Sequence, residues 1–129
     1  ILKQFIKHLT VGENEVVLLD MEAGVEHFGR GVDNSVDLIL MIVDPSFESL
    51  KLTKKIQQLG DSIGKTVFFV LNKVNELVLP TMLESIDDQS KVLAVISTDT
   101  EIARKGLVGD ELMMEIPEIH TLARKILKQ

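Results

Sequence analysis

The residues most able to do chemistry lie in one stretch, Val16 to Arg30, which reads VVLLDMEAGVEHFGR. An apolar run there delivers Asp20 to its end, and Gly24 follows. A carboxylate at the tip of a buried strand can hold a magnesium ion through water. A glycine just beyond it lets a backbone N–H approach a phosphate oxygen where a Cβ would obstruct. The same short pattern arises when Asp20 merely caps a turn and Gly24 fills a left-handed position, so both readings stay open on spacing alone. A second candidate is Asn72-Lys73, at the end of FFVLNK. A side-chain amide there can donate to and accept from a purine edge, which suits adenine. It can also be an ordinary asparagine in a strand-ending turn. His27 is flanked by Glu22 and Glu26. On a helix, however, adjacent residues face apart. His8 and His120 are remote in sequence, which favours a switch or structural role for His27 over metal ligation.

These residues need a scaffold that brings strand ends together. Four short apolar runs supply one: Glu15 to Asp20, Asp37 to Asp44, Thr66 to Asn72 and Lys91 to Ser97. Each is nearly continuous in apolar character, which is the pattern of parallel strands covered on both faces. Each closes on a polar residue (Asp20, Asp44, Asn72, Ser97), so polar groups gather on the carboxyl edge, where open α/β sheets bind ligands. Helical periodicity fills the intervals. Leu2, Phe5, Ile6 and Leu9 share one face at the start. Leu52, Ile56, Leu59 and Ile63 repeat between a Pro45-Ser46 start and a Gly64 stop. A short helix is expected near Pro80. A last one begins at Pro117 and is expected to carry Ile119, Leu122, Ala123, Ile126 and Leu127 inward, with Lys125 and Lys128 suiting its negative end. The alternation predicts an α/β fold, a mostly parallel sheet of about four strands flanked by helices with right-handed crossovers.

The bulk properties bound the rest. The 129 residues suit a single domain spanning 1–129, and 45% hydrophobic with 26% charged residues is a globular composition. The net charge of −6, without a basic cluster, argues against nucleic acid as the main partner. With no cysteine, a thiolate metal site or disulfide framework is excluded for this chain. No apolar run reaches the roughly 18 residues of a membrane span. No leader pattern follows Lys3 and Lys7. A cytoplasmic setting is the expectation. The first residue is Ile1, already inside a helical pattern, which reads as a missing N-terminal portion.

The longer string shifts the balance of the first reading. DMEAGVEHFGRG, then VDLILMIVDPSFESLKLTKKIQQL, then FFVLNKV resembles the CooC-type ATPases that insert nickel into carbon monoxide dehydrogenase. More loosely it resembles their MinD, ParA and nitrogenase iron protein relatives. The specific part is Ala23, Gly24, Glu26, His27 and Arg30; Asp-Pro-Ser at 44 to 46 adds to it. The resemblance implies the C-terminal portion of a P-loop ATPase domain of the SIMIBI class, a Rossmann-like three-layer sandwich. Asp20 would then belong to the Walker B strand and Gly24 to the following switch. Asn72 and Lys73 match the base-recognition motif. The loop Ser97 to Glu101, with Asp99, matches an adenine-flanking loop in which Ser97 replaces the usual proline. ATP or ADP with magnesium, a homodimer and a metalloenzyme client are what the likeness implies.

One part of the pattern is missing. The family's glycine-rich lysine loop has no counterpart, since Gly64-Lys65-Thr66 enters a strand instead of leaving one. The family's Cys-x-Cys pair would also lie upstream. Because that loop supplies most of the phosphate contacts, the isolated chain is expected to bind ATP weakly and to show little or no hydrolysis. The run at 15–20 would then need to pair directly with 37–44 or with another chain. Two other readings compete: a degenerate α/β module for protein interaction or regulation, and a flavodoxin-like or receiver-like domain. The latter is matched only in part by Asp20, Asp44 and Lys73.

Overall fold

The computed structural model describes residues 4–5, 8–21 and 35–129. Strand β1 (Ile39–Val43) leads into helix α1 (Phe47–Ser62), then β2 (Val67–Val74), α2 (Leu79–Glu84), a 3-10 turn (Gln89–Lys91) and β3 (Val92–Ser97). Helices α3 (Thr100–Val108) and α4 (Pro117–Leu127) follow. The strands form a parallel sheet in the order β1-β2-β3, with Ile39 opposite Val67 and Val43 opposite Leu71. Each parallel crossover carries a helix, as the α/β alternation requires.

The middle strand shows why the sheet forms. Val67 to Leu71 are all buried, so both faces of β2 are covered. Val67, Phe69 and Leu71 pack with Met41, Val43, Ile56, Met82 and Ile86, under α1 and α2. Phe68 and Val70 turn the other way, onto Leu93, Ala94 and Leu122. Three layers result: α1 and α2, the sheet, and α4. An unbroken apolar run suits a strand only when both faces are dry.

Local signals set the helix ends. Ser46 caps α1, its Oγ accepting from the Ser49 N–H at 3.2 Å. Gly60 lets α1 meet the sheet closely. A Cβ on it would stand 2.4 Å from Val67 Cγ2 and 2.8 Å from the Lys65 carbonyl oxygen. The buried Thr53 hydroxyl lies 2.8 Å from the carbonyls of Leu50 and Ser85, tying α1 to the end of α2. Pro80 stands in the first turn of α2, and Pro117 opens α4.

Three expectations change. The run at 15–20 carries no strand, and Val16, Val17 and Leu18 are exposed. The described residues therefore form three strands, not about four. A strand is held by its ladder, and β1 pairs only with β2 among the described residues. In α4, Leu122 is buried and Ile126 half-buried, whereas Ile119, Ala123 and Leu127 face outward. Leu122 meets Phe68 and Val70 of β2 and Leu93 and Ala94 of β3, and a helix over so narrow a floor buries a narrower stripe than one lying over a wide sheet. Residues 100–108 form a helix where no helical element was expected. The expected opening helix falls largely outside the described residues. Among the described residues, no helix is long and apolar enough to cross a membrane.

Candidate functional site

Because the strands run parallel, their carboxyl ends share one edge, where Asp44, Asn72 and Ser97, which close the three strand-forming runs, lie. The hydrogen bonds of that edge converge on Asp44, which follows β1. Its Oδ1 accepts from Asn72 Nδ2 at 2.9 Å, and its Oδ2 receives the Lys73 ammonium. Asn72 and Lys73 lie near the end of β2. The backbone fixes Asp44 from the other side: its N–H donates to Ser49 Oγ at 3.0 Å, and its carbonyl accepts from the Ser46 N–H at 2.8 Å. The Asp44-Pro45-Ser46 turn thus holds the carboxylate in place and starts α1 at once.

Burial alone would raise the Asp44 carboxyl. The hydrogen bonds from Lys73 and Asn72 and the Lys73 charge outweigh it, and the group sits below its ordinary value. It is a carboxylate under all near-neutral conditions. Lys73 reaches it from a left-handed backbone position, φ +54°. That conformation costs a non-glycine residue about 1 kcal/mol or more. The β2–β3 register shifts between Leu71 and Val74, so the unusual residue lies at an irregularity that lets consecutive side chains, Asn72 and Lys73, converge on one carboxylate.

Ser97 ends β3 and is exposed at the same edge. Asp99 follows and is committed to α3. Its Oδ1 accepts from Glu101 N–H at 2.8 Å and Ile102 N–H at 3.0 Å, forming the helix N-cap. The Thr98 N–H donates to the Val74 carbonyl at 2.9 Å, which keeps this loop beside Asn72 and Lys73. Sequence reasoning missed α3, although Asp99 and Gly109, its left-handed C-cap, are its start and stop signals. It also left Asp44 out of the site residues. The signal available was a charged residue closing an apolar run just before a proline-serine turn.

Asp20 is exposed and stands on no strand or helix. No hydrogen bond or ion pair between described residues links it to the edge where Asn72, Lys73, Ser97 and Asp99 gather. Gly24, Glu22, Glu26, His27 and Arg30 lie outside the described residues. No group of three or more His, Asp or Glu side chains able to hold a metal occurs among the described residues.

Known protein families give no match to this chain. Individual proteins do. It is 43% identical over 128 residues, 99% of its length, to an uncharacterised ATP-binding protein of Methanocaldococcus jannaschii. A second uncharacterised ATP-binding protein of that organism is 31% identical over 89% of the chain. The carbon monoxide dehydrogenase accessory protein CooC of Rhodospirillum rubrum is 34% identical over 84% of it. The aligned part makes up 51%, 46% and 42% of these three proteins, so the chain spans about half the length of the curated relatives it matches.

Proposed function

Because the chain belongs with the CooC-like ATP-binding proteins, we propose that it is the base-binding portion of an ATP-binding domain, corresponding to the C-terminal part of its relatives. The observation that carries this is the convergence of Asn72 and Lys73 on Asp44 at the carboxyl edge of the sheet. In a parallel sheet that edge is the ligand edge. The amide of Asn72 is half-buried and fixed, with its oxygen free of any described donor. This is the form of polar group that reads a base edge with precision. Lys73, Ser97 and Asp99 border the same place and are assigned to the adenine surroundings.

Asp20 is assigned to magnesium through water, and Gly24 to the γ-phosphate. In the described residues no cluster of three or more His, Asp or Glu side chains includes Asp20, so water and phosphate oxygens would complete the ion's shell, as magnesium prefers. When bound, the ion neutralises phosphate charge. The contribution of the sheet's carboxyl edge is to hold the base. Nickel delivery to a metalloenzyme client, and action as a homodimer in the cytoplasm, are the finer parts of the reading. The 34% identity to a carbon monoxide dehydrogenase accessory protein supports a metalloenzyme client; nickel, the homodimer and the cytoplasmic setting rest on the family resemblance alone.

The test is calorimetric titration of the chain with magnesium ATP and magnesium ADP, repeated for Asn72→Ala. Weak binding that Asn72→Ala abolishes is expected, with negligible hydrolysis. Binding unaffected by Asn72→Ala would remove the base-contact role. Absence of any nucleotide binding would favour the second reading, a non-catalytic interaction module. Exposed apolar side chains at Val16, Leu18, Phe47, Leu77 and Leu107 support that alternative.

A further inference from the structure

Resting on the reading of Asn72 as a base contact, we propose that Asp44 is a positioning residue that sets which end of the Asn72 amide faces the ligand. It thereby selects a purine bearing an exocyclic amino group over one bearing an exocyclic carbonyl. The argument is one of hydrogen-bond inventory. A carboxylate only accepts, whereas an amide has one accepting and one donating end. Asn72 must therefore turn Nδ2 toward Asp44, whichever way the amide would otherwise rotate, and the observed 2.9 Å contact has that polarity. Its Oδ1 is left facing away from Asp44, and no described residue donates to it.

Two features keep this orientation from relaxing. Lys73 takes the second carboxylate oxygen, so Asp44 cannot rotate away from the amide. The Ser49 hydroxyl and the Ser46 N–H hold the Asp44 backbone. Burial, which would favour the protonated acid and so a donor, is outweighed by the hydrogen bonds from Lys73 and Asn72 and by the Lys73 charge, and the group stays ionised. Adenine presents an amino donor beside the N7 acceptor; guanine presents two acceptors there. The Asn72 oxygen can accept from the adenine amino group while the second Nδ2 proton goes to N7. Against guanine, the same oxygen meets O6 lone pair to lone pair. One well-placed bidentate contact of this sort is worth about 5- to 150-fold in discrimination.

The experiment measures dissociation constants for magnesium ATP and magnesium GTP by amide chemical-shift perturbation, a readout that reaches millimolar affinities. It compares the unaltered chain with Asp44→Asn. An asparagine at 44 can donate as well as accept, which frees the Asn72 amide to turn over. The expected result is a preference for ATP of at least about 5-fold that falls towards unity in Asp44→Asn. A purely structural role for Asp44 would weaken both nucleotides together and leave the ratio intact, which overturns the proposal while sparing the base-contact reading. Equal affinity for the two nucleotides in the unaltered chain also overturns it. If neither nucleotide binds, the base-contact reading falls and takes this proposal with it. Should Asp44→Asn fail to fold, the unaltered chain still decides. The Asn72 side-chain amide resonances must move with pH as the Asp44 carboxyl titrates, and flat resonances refute the coupling.

Discussion

The run Val67 to Leu71 and the run Val16 to Leu19 are both unbroken stretches of apolar side chains, yet one is wholly inside the molecule and the other largely faces solvent. Composition does not separate them. Neighbours do. The first has a hydrogen-bonded strand on each side and helices over each face. The second has no ladder partner among the described residues. The difference teaches that an apolar run carries the capacity to be a strand, while the sheet decides whether that capacity is used. Burying a large apolar side chain is worth roughly 1.5–3 kcal/mol, but it is available only where a second surface exists to bury it against.

The largest effect that sharpens this contrast is in the core. Phe69→Ala removes a fully buried ring and should destabilise the chain by about 3–5 kcal/mol, read from denaturant midpoints. Leu18→Ala, at a residue 85% exposed, should change stability by no more than about 0.5 kcal/mol. Comparable losses at the two positions would break the comparison, because they would show that the outer run is packed in solution. Next comes Gly60→Ala, which tests how far the buried run depends on its helical cover. Alanine would normally favour a helix by about 1 kcal/mol over glycine. Here its Cβ meets the Lys65 carbonyl, a backbone atom that cannot rotate away, so a net loss of about 1–3 kcal/mol is expected in thermal or chemical unfolding.

The smallest effect concerns the polar end of the packed half. The Asp44 carboxyl sits below its ordinary value of 3.8 in the folded chain. Its contribution is therefore fully present above that value and is lost as pH falls through the lower folded value. Asp44→Asn should flatten this part of the acid limb of a melting-temperature profile by lowering its neutral end slightly, and leave the strongly acid region nearly unchanged. The shift will be modest, since the side chain is 39% exposed and solvent screens the pair. An unaltered acid limb would show that the Asp44 pairings do not contribute in solution.

Much of the fold was legible in the sequence where a local rule and tertiary packing agreed. Asp37 to Asp44, Thr66 to Asn72 and Lys91 to Ser97 became strands, and Pro45-Ser46, Pro80 and Pro117 marked helix starts. The rest depended on partners that a linear pattern does not show. Val16 to Leu19 required a neighbouring strand. Ile119 and Leu127 required a wider floor than β3 and β2 offer to α4. At the candidate site, Asn72 and Lys73 were legible because they close an apolar run. Their shared dependence on Asp44, 28 and 29 residues earlier in the chain, was not, because it arises only once β1 and β2 lie side by side.

Lys73 carries a consequence of its own. Its backbone penalty and its exposed ion pair are each of order 1 kcal/mol and opposite in sign, so they nearly cancel. A glycine at 73 would ease the main chain but leave the carboxylate without its counter-ion; an alanine would keep the main-chain penalty and lose the counter-ion as well. Position 73 is thus close to neutral for thermodynamic robustness, and what it contributes is directional: it pins a charge in place without making the protein harder to unfold.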